Sequence, residues 1–277
     1  MGWSECGGVM GERGAGGAGA PTVASRLFRI LETFAPDRPS LTLSAISRHS
    51  GLSLTTTHRL VGELAGWGAL ERDADGRYRI GLRIYELAAL TPRGTFLRQV
   101  AMPFLGDLYE ATRQNVQLGV LDGHEVVYLE RISGRDAVPV VSRPGGRLPL
   151  HATGVGLVLL AHADRELQEA VLDEPMKRFT DKTIANPRQL RGILAGIRKN
   201  GFAISDRQIE LSTLSVAAPV HGDTDEVVAA LSIVVPAETS DPIALVPAVR
   251  AAARGLSRAL GSPRALALPP TAHYEHS

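Results

Sequence analysis

Between Leu27 and Ile80 the spacing of apolar residues changes from helical to alternating, with a turn signal at each break. Leu27, Ile30, Leu31 and Phe34 fall at i, i+3, i+4 and i+7, one apolar stripe on a helix. Pro36 and Pro39 end that helix, because proline cannot continue it. A short helix is expected from Thr42 to His49, burying Leu43, Ala45 and Ile46. Gly51 closes it where the left-handed region is needed. Ser53 is suited to cap a third helix, Leu54 to Ala65, whose inward stripe is Thr57, Leu60, Val61 and Leu64. After Gly66-Trp67-Gly68 the pattern becomes two short strands, Ala69–Arg72 and Arg77–Ile80, around an Asp75-Gly76 hairpin signal. Helix, short helix, glycine turn, helix and hairpin is the order of an all-α winged helix-turn-helix with a β-hairpin wing.

That order makes double-stranded DNA the expected partner. A major groove about 12 Å wide admits one helix, held by a second helix across a tight turn. The third helix leaves Ser53, Thr55, Thr56, His58 and Arg59 facing outward, and the hairpin offers Arg72, Arg77 and Arg79 for phosphates. The formal net charge is only +1, and nine arginines face seven acidic residues between Pro21 and Leu90, so charge permits DNA binding without requiring it. The same residues could instead form a trihelical unit for protein contact. His58 could be surface filler, and Arg59 could pair with Glu63 one helical turn on.

Beyond the hairpin, Arg83–Leu90 and Thr95–Thr112 are two expected helices, with Pro103 kinking or starting the second; residues 83–113 are thus a linker between domains. Alternating Val116, Leu118 and Val120, the Asp122-Gly123 turn and Val126 to Leu129 give a hairpin. Val138–Val141, Leu214–His221 and Val227–Val235 are further strands. Helices are expected at Thr153–Ala163, Arg165–Leu172, Pro187–Asn200 and Ile243–Leu260, so residues 114–262 make an α+β domain. The DNA-binding domain spans 23–82. Residues 1–22, rich in glycine, and 263–277 are expected to be a disordered leader and a flexible tail. The leader lacks the apolar core of a signal peptide, no apolar run is long enough to span a membrane, and Cys6 stands alone. A cytoplasmic location is expected.

Signs of catalysis are lacking: there is no Gly-x-Ser-x-Gly elbow and no Gly-rich phosphate loop. His151, His162 and His221 lack metal-ligand spacing. No enzyme activity, cofactor or metal is expected.

Three blocks carry a family likeness. Leu41 to Leu60 with Tyr78 to Gly81, Arg147 to Gly156, and Leu214 to Val220 followed by Ala229 to Ile233 together resemble the IclR family of bacterial transcriptional regulators, over about residues 23–262. The resemblance implies a GAF-like effector domain, and homodimers or homotetramers on a palindromic operator. It also implies a small-molecule effector, for which a carboxylate is one candidate, bound near Leu148, Gly154, Val155, Glu210, Ala217, Pro219, Ser232 and Val234. Gly154 would open a helix whose amides attract an anion, or would serve close packing. Glu210 would be the one charge of the pocket, or a surface carboxylate. Leu54 stands where a polar or basic residue is frequent in the family. Val234 stands where serine is common, and Pro219 offers no donor; these changes imply a less polar pocket and a larger or more apolar ligand than a small oxoacid, or no ligand at all.

Overall fold

The computed structural model describes residues 22–266; the expected leader up to residue 21, with Cys6, and the tail beyond 266 lie outside them. The described residues divide into two compact units, the first ending at Thr95 and the second beginning at Phe96.

In the first unit, α1 (Val23–Leu31), α2 (Leu43–Ser50) and α3 (Leu54–Trp67) are each capped by a hydroxyl, from Thr22, Thr42 and Ser53. Gly51 ends α2 at φ 66° and Gly68 ends α3 at φ 88°, values that suit glycine. All four residues of the expected α3 stripe are buried, and they join Ile30, Leu41, Ile46, Ala69 and Leu70 in the core. Strands β2 (Leu70–Arg72) and β3 (Tyr78–Ile80) form the hairpin. The expectation of an all-α unit with only a hairpin needs one correction. Ser40–Leu41 forms β1, which pairs with β3 and makes a three-stranded sheet of order β1-β3-β2. A two-residue strand carries no alternation to detect. Helix α4 (Leu82–Ala89) follows, its first amide held by the Glu71 carboxylate at 3.0 Å.

The second unit is built on an antiparallel sheet of order β6-β5-β4-β9-β8-β7. Its strands are β4 (Asn115–Asp122), β5 (Glu125–Ile132), β6 (Arg147–Pro149), β7 (Ala203–Asp206), β8 (Thr213–His221) and β9 (Val227–Pro236). Alternation divides each strand between two cores. Val116, Leu118, Val216, Ala218, Leu231 and Ile233 pack with α5 (Leu97–Thr112) and α9 (Pro242–Ala259). Val126, Tyr128, Ala217 and Ala230 pack with α6 (Gly154–His162) and α8 (Pro187–Asn200), beside α7 (Arg165–Asp173). Helix α6 is apolar all round, and every residue from Gly154 to Ala161 is buried, as such a helix must be.

Three expectations change here. The linker assignment of 83–113 does not hold for α5: Leu97, Ala101, Leu105 and Leu108 are buried in the core of the second unit. The apolar stripe of this helix packs on the sheet and on α9, within the second unit. Pro103 lies within α5, which is preceded by a π-turn at Pro92–Phe96. Second, Val138–Val141 is not a strand. Side chains take up its carbonyls instead: Asn115 Nδ2 donates to Val138 O at 2.7 Å, and Arg131 donates to Val140 O at 3.4 Å and Ser142 O at 2.7 Å. Third, Pro263–Leu266 forms a short helix, α10, and Ser262 donates to Asp225 at 2.6 Å, so the expected tail begins later than 263.

Candidate DNA-reading surface and ligand cavity

The α2–turn–α3 segment separates a buried stripe from an exposed face. Thr57 is fully buried and donates to Ser53 O at 2.9 Å, so it holds the helix start. Ser53 caps α3, accepting from Thr56 N at 3.3 Å and donating to Thr56 Oγ1 at 2.9 Å. Thr55, His58 and Arg59 are exposed, with Thr56 half-buried between them. Arg59 forms an ion pair with Glu63, the alternative its spacing raised. Leu54 is 54% exposed at the first position of this helix.

The hairpin arginines are held unequally. Arg77 Nη2 donates to Ser40 O at 2.7 Å and its Nε to Ser40 Oγ at 3.1 Å, which ties the hairpin to β1. Arg79 gives both a 3.1 Å and a 2.9 Å bond to one Glu71 oxygen. The Leu82 amide and then Arg79 hold the Glu71 carboxyl below its usual range. Arg72 is the most loosely anchored, lying 5.7 Å from the Tyr78 ring centre and 3.4 Å from Gly76 O. Exposed Arg48 and His49 at the end of α2 add basic groups beside the turn that the sequence reading passed over.

In the second unit a cavity opens at the N-terminal end of α6. It measures about 50 Å³, or 410 Å³ of atom-free space with its mouth included. That is room for a few waters or one small organic molecule. Its floor is the α6 face of the sheet, through Gln117, Tyr128, Thr213, Ser215 and Val234. One wall is the 140–142 segment and the other is the 208–210 turn. Gln117 Nε2 donates to Ser142 Oγ at 2.7 Å, locking the first wall to the floor. Thr183 Oγ1 donates to Gln208 O at 2.7 Å, and Thr180 Oγ1 to Arg207 O at 2.6 Å, fixing the second.

Four of the expected effector residues, Leu148, Gly154, Glu210 and Val234, line this cavity; Val155, Ala217, Pro219 and Ser232 do not. The reasons differ. Val155 is 1% exposed and points at Gly119, whose missing side chain leaves room for it. Ala217 lies under Gly154, where a Cβ would come within 3.4 Å of it and 2.6 Å of Ser215 Oγ. Gly154 therefore permits close packing and also forms part of the cavity wall. Pro219 pairs with Ala230 further along β8. Ser232 is fully buried, paired in register with Gln117 and Ala217, and its hydroxyl has no partner. Gln117, Ser142, Thr153, Ser205, Gln208 and Ser215 also line the cavity, yet its exposed surface is mostly apolar, from residues such as Val140, Val141, Leu148, Ile209 and Val234. Ser215 was detectable from its place in the alternation of β8; the loop residues carried no periodic signal.

Burial pushes the Glu210 carboxyl above its usual range, and a hydrogen bond from the Val141 amide opposes this. Burial pushes the Tyr128 phenol well above its usual range, with a smaller opposing effect of its hydrogen bond to Thr153. Among the described residues, no three His, Cys, Asp or Glu side chains gather as a metal site, and no helix is long and apolar enough to cross a membrane.

A helix-turn-helix unit joined to an α+β unit with a ligand-sized cavity defines a class, the DNA-binding transcriptional regulators. Residues 23–74 match the IclR helix-turn-helix domain, and residues 93–258 match the bacterial transcriptional regulator IclR C-terminal domain; the chain belongs to the IclR family. It is 35% identical over 243 residues to the HTH-type transcriptional regulator XynR of Escherichia coli (strain K12), covering 86% of this chain and 96% of that one. It is 31% identical over 228 residues to the HTH-type transcriptional regulator BhcR of Paracoccus denitrificans (strain Pd 1222), covering 82% and 81%. Among solved structures, it is similar to an IclR homolog complexed with 4-hydroxybenzoate from Microbacterium hydrocarbonoxydans. That match has TM-score 0.82 and 39% identity, covering 86% of this chain and 99% of that one. Thermotoga maritima IclR gives TM-score 0.72 and 27% identity, covering 86% and 98%.

Proposed function

We propose that this regulator binds a palindromic operator as a homodimer or homotetramer, and that a small molecule in the second unit sets its affinity for DNA. The α3 edge of Thr55, Thr56, His58 and Arg59 enters the major groove, with Ser53 at its start. The β2–β3 hairpin acts as a wing, placing Arg72, Arg77 and Arg79 near phosphates. Residues 23–82 serve as the DNA-binding domain, and α4 with the following turn as the linker. The remainder up to residue 262 serves as a GAF-like effector domain. The protein works in the cytoplasm and without catalysis.

The observation that carries this reading is the cavity at the head of α6, lined by Leu148, Gly154, Glu210 and Val234. The 4-hydroxybenzoate in a relative of 39% identity supports a single-ring acid as the kind of ligand it admits. A ligand that binds one arrangement of the assembly better shifts its population and so changes the spacing of the reading heads. The test is a mobility-shift titration of the chain's own promoter DNA across a salt series, with and without a panel of aromatic and aliphatic acids. Affinity that falls steeply with salt and changes with one panel member is the expected result. Salt-independent binding, or none, would overturn the DNA half of the reading. Binding that no acid changes would overturn the effector half.

A further inference from the structure

The start of α3 presents one large side chain that the fold leaves uncommitted. Leu54 is 54% exposed and takes no part in the core of the first unit, although Leu52, on the other side of the cap, packs against that core. The polar groups around it are partly spent on the helix itself. The Ser53 hydroxyl accepts from Thr56 N at 3.3 Å and donates to Thr56 Oγ1 at 2.9 Å. Thr57 is buried and donates to Ser53 O, and Arg59 is paired with Glu63. Further along the outward face stand Gly62 and Gly66, both exposed, where an added Cβ would meet nothing within 4 Å. Packing therefore does not call for glycine at either position. Bare backbone there lets a large partner come close and leaves the reading to side chains nearer the start of the helix. Helix side chains also lean towards the N-terminus, which carries Leu54 ahead of its own backbone.

The major groove offers such a side chain one matching feature. Leu54 can neither donate nor accept a hydrogen bond. Set over a purine edge or the cytosine amino group, it would strip water from donors or acceptors and replace none of their bonds. Set over the C5-methyl of thymine, it buries apolar surface on both sides of the contact.

Resting on the placement of α3 in the major groove, we propose that Leu54 is a specificity-determining residue that reads a thymine methyl in each half-site of the operator. Hydrogen-bonding side chains of the same helix read the neighbouring base edges, and Leu54 adds a position where only thymine is favoured.

The experiment uses the chain's own promoter DNA, amplified once with thymidine triphosphate and once with deoxyuridine triphosphate in its place, so that the second duplex lacks every C5-methyl. Amplified DNA carries no 5-methylcytosine, so any methyl read in it belongs to thymine. Fluorescence anisotropy gives the affinities of the full chain for both duplexes and for a scrambled duplex, for wild type, Leu54→Ala, Leu54→Met and Arg59→Ala. The wild type is expected to bind the uracil duplex more weakly by about fourfold per half-site, the effect of burying one methyl group. Leu54→Ala should lose at least as much on the thymine duplex and should no longer distinguish thymine from uracil. Leu54→Met, which keeps an apolar side chain of similar reach, should retain most of the discrimination. Because Leu54 is exposed, both variants should keep the wild-type melting transition. A wild type indifferent to uracil refutes the proposal, as does a Leu54→Ala that loses as much on uracil as the wild type does. Equal weakening of Leu54→Ala on promoter and scrambled duplexes assigns the side chain a structural role and also refutes it. In each of these cases the placement of α3 still stands so long as Arg59→Ala narrows the gap between promoter and scrambled duplexes. If Arg59→Ala leaves that gap unchanged as well, the placement itself falls.

Discussion

Replacing Arg59 with alanine separates the two roles its position allows. Its guanidinium pairs with Glu63 across one helical turn, and the two side chains are 56% and 50% exposed. An exposed i, i+4 pair is worth about 0.3–0.5 kcal/mol, so releasing Glu63 to meet DNA costs about a factor of two in affinity. A bidentate contact to guanine is worth about 1–3 kcal/mol, or roughly 5- to 150-fold. The contact therefore outweighs the ion pair, and Arg59→Ala should weaken operator binding about 2.5- to 75-fold. Glu63→Gln, which removes both the competitor and a negative charge, should strengthen it about twofold. Fluorescence anisotropy with an operator duplex and a scrambled duplex, across a salt series, distinguishes the kinds of contact. Loss of a phosphate contact reduces the log–log salt slope by about 0.9. Loss of a base contact leaves the slope but narrows the gap between the two duplexes. A folded Arg59→Ala with operator affinity within twofold of wild type and an unchanged slope would refute the placement of α3 in the groove.

Three other outcomes are expected. Arg77→Lys keeps the charge but loses the fork on Ser40, so it should lower the melting temperature of the first unit by the equivalent of about 1 kcal/mol; recovery of DNA affinity relative to Arg77→Ala would assign its DNA role to charge, and no recovery would assign it to the fork. Gly156→Ala brings a methyl to 2.5 Å from Leu150 O and 2.6 Å from Leu150 Cα, so denaturant unfolding should show a loss of about 1–3 kcal/mol or more in the second unit, whereas Gly196→Ala in α8, with nothing within 4 Å, should be neutral or stabilising; equal effects would contradict the packing at the head of α6. Burial lowers the affinity of His151, His162 and His221 for protons, and Arg198 and Arg264 oppose protonation of His162 further. Above the ordinary histidine value these rings are neutral in both states; as pH falls below it the unfolded chain takes up protons that the folded chain resists, so stability declines. The melting temperature of the second unit should drop between about pH 7.5 and pH 5.5, less so in His162→Gln, and a flat profile would count against buried neutral rings.

The first unit was largely legible from its sequence, because each element there is specified locally. Ser53 caps, Gly51 and Gly68 turn, and the stripe of Thr57, Leu60, Val61 and Leu64 faces inward, all within one stretch of chain. Strand β1 escaped notice because Ser40 and Leu41 owe their conformation to β3 and to Arg77, both distant in sequence. The same kind of reason explains the errors in the second unit. Val138–Val141 has the composition of a strand, yet its carbonyls are engaged by Asn115 and Arg131, and no local pattern records that. In the cavity, Leu148, Gly154, Glu210 and Val234 were reached through family likeness. Gln117 and Ser215 followed from alternation once the facing core was known. Gln208 and Ser142 lie on irregular backbone, where neither period applies.

The glycines at the start of α6 also constrain how such a cavity can diversify. A Cβ at Gly154 would meet Ser215, and one at Gly156 would strike the backbone of Leu150, so neither position is free to mutate. The strand floor is committed on its reverse face to a second core. The two walls, at 140–142 and 208–210, are irregular backbone fastened by a few side-chain hydrogen bonds, so they carry fewer packing constraints than the helix head or the floor. A lineage adapting to a new metabolite would therefore retool those walls first, and the helix head and sheet would be inherited as a fixed chassis.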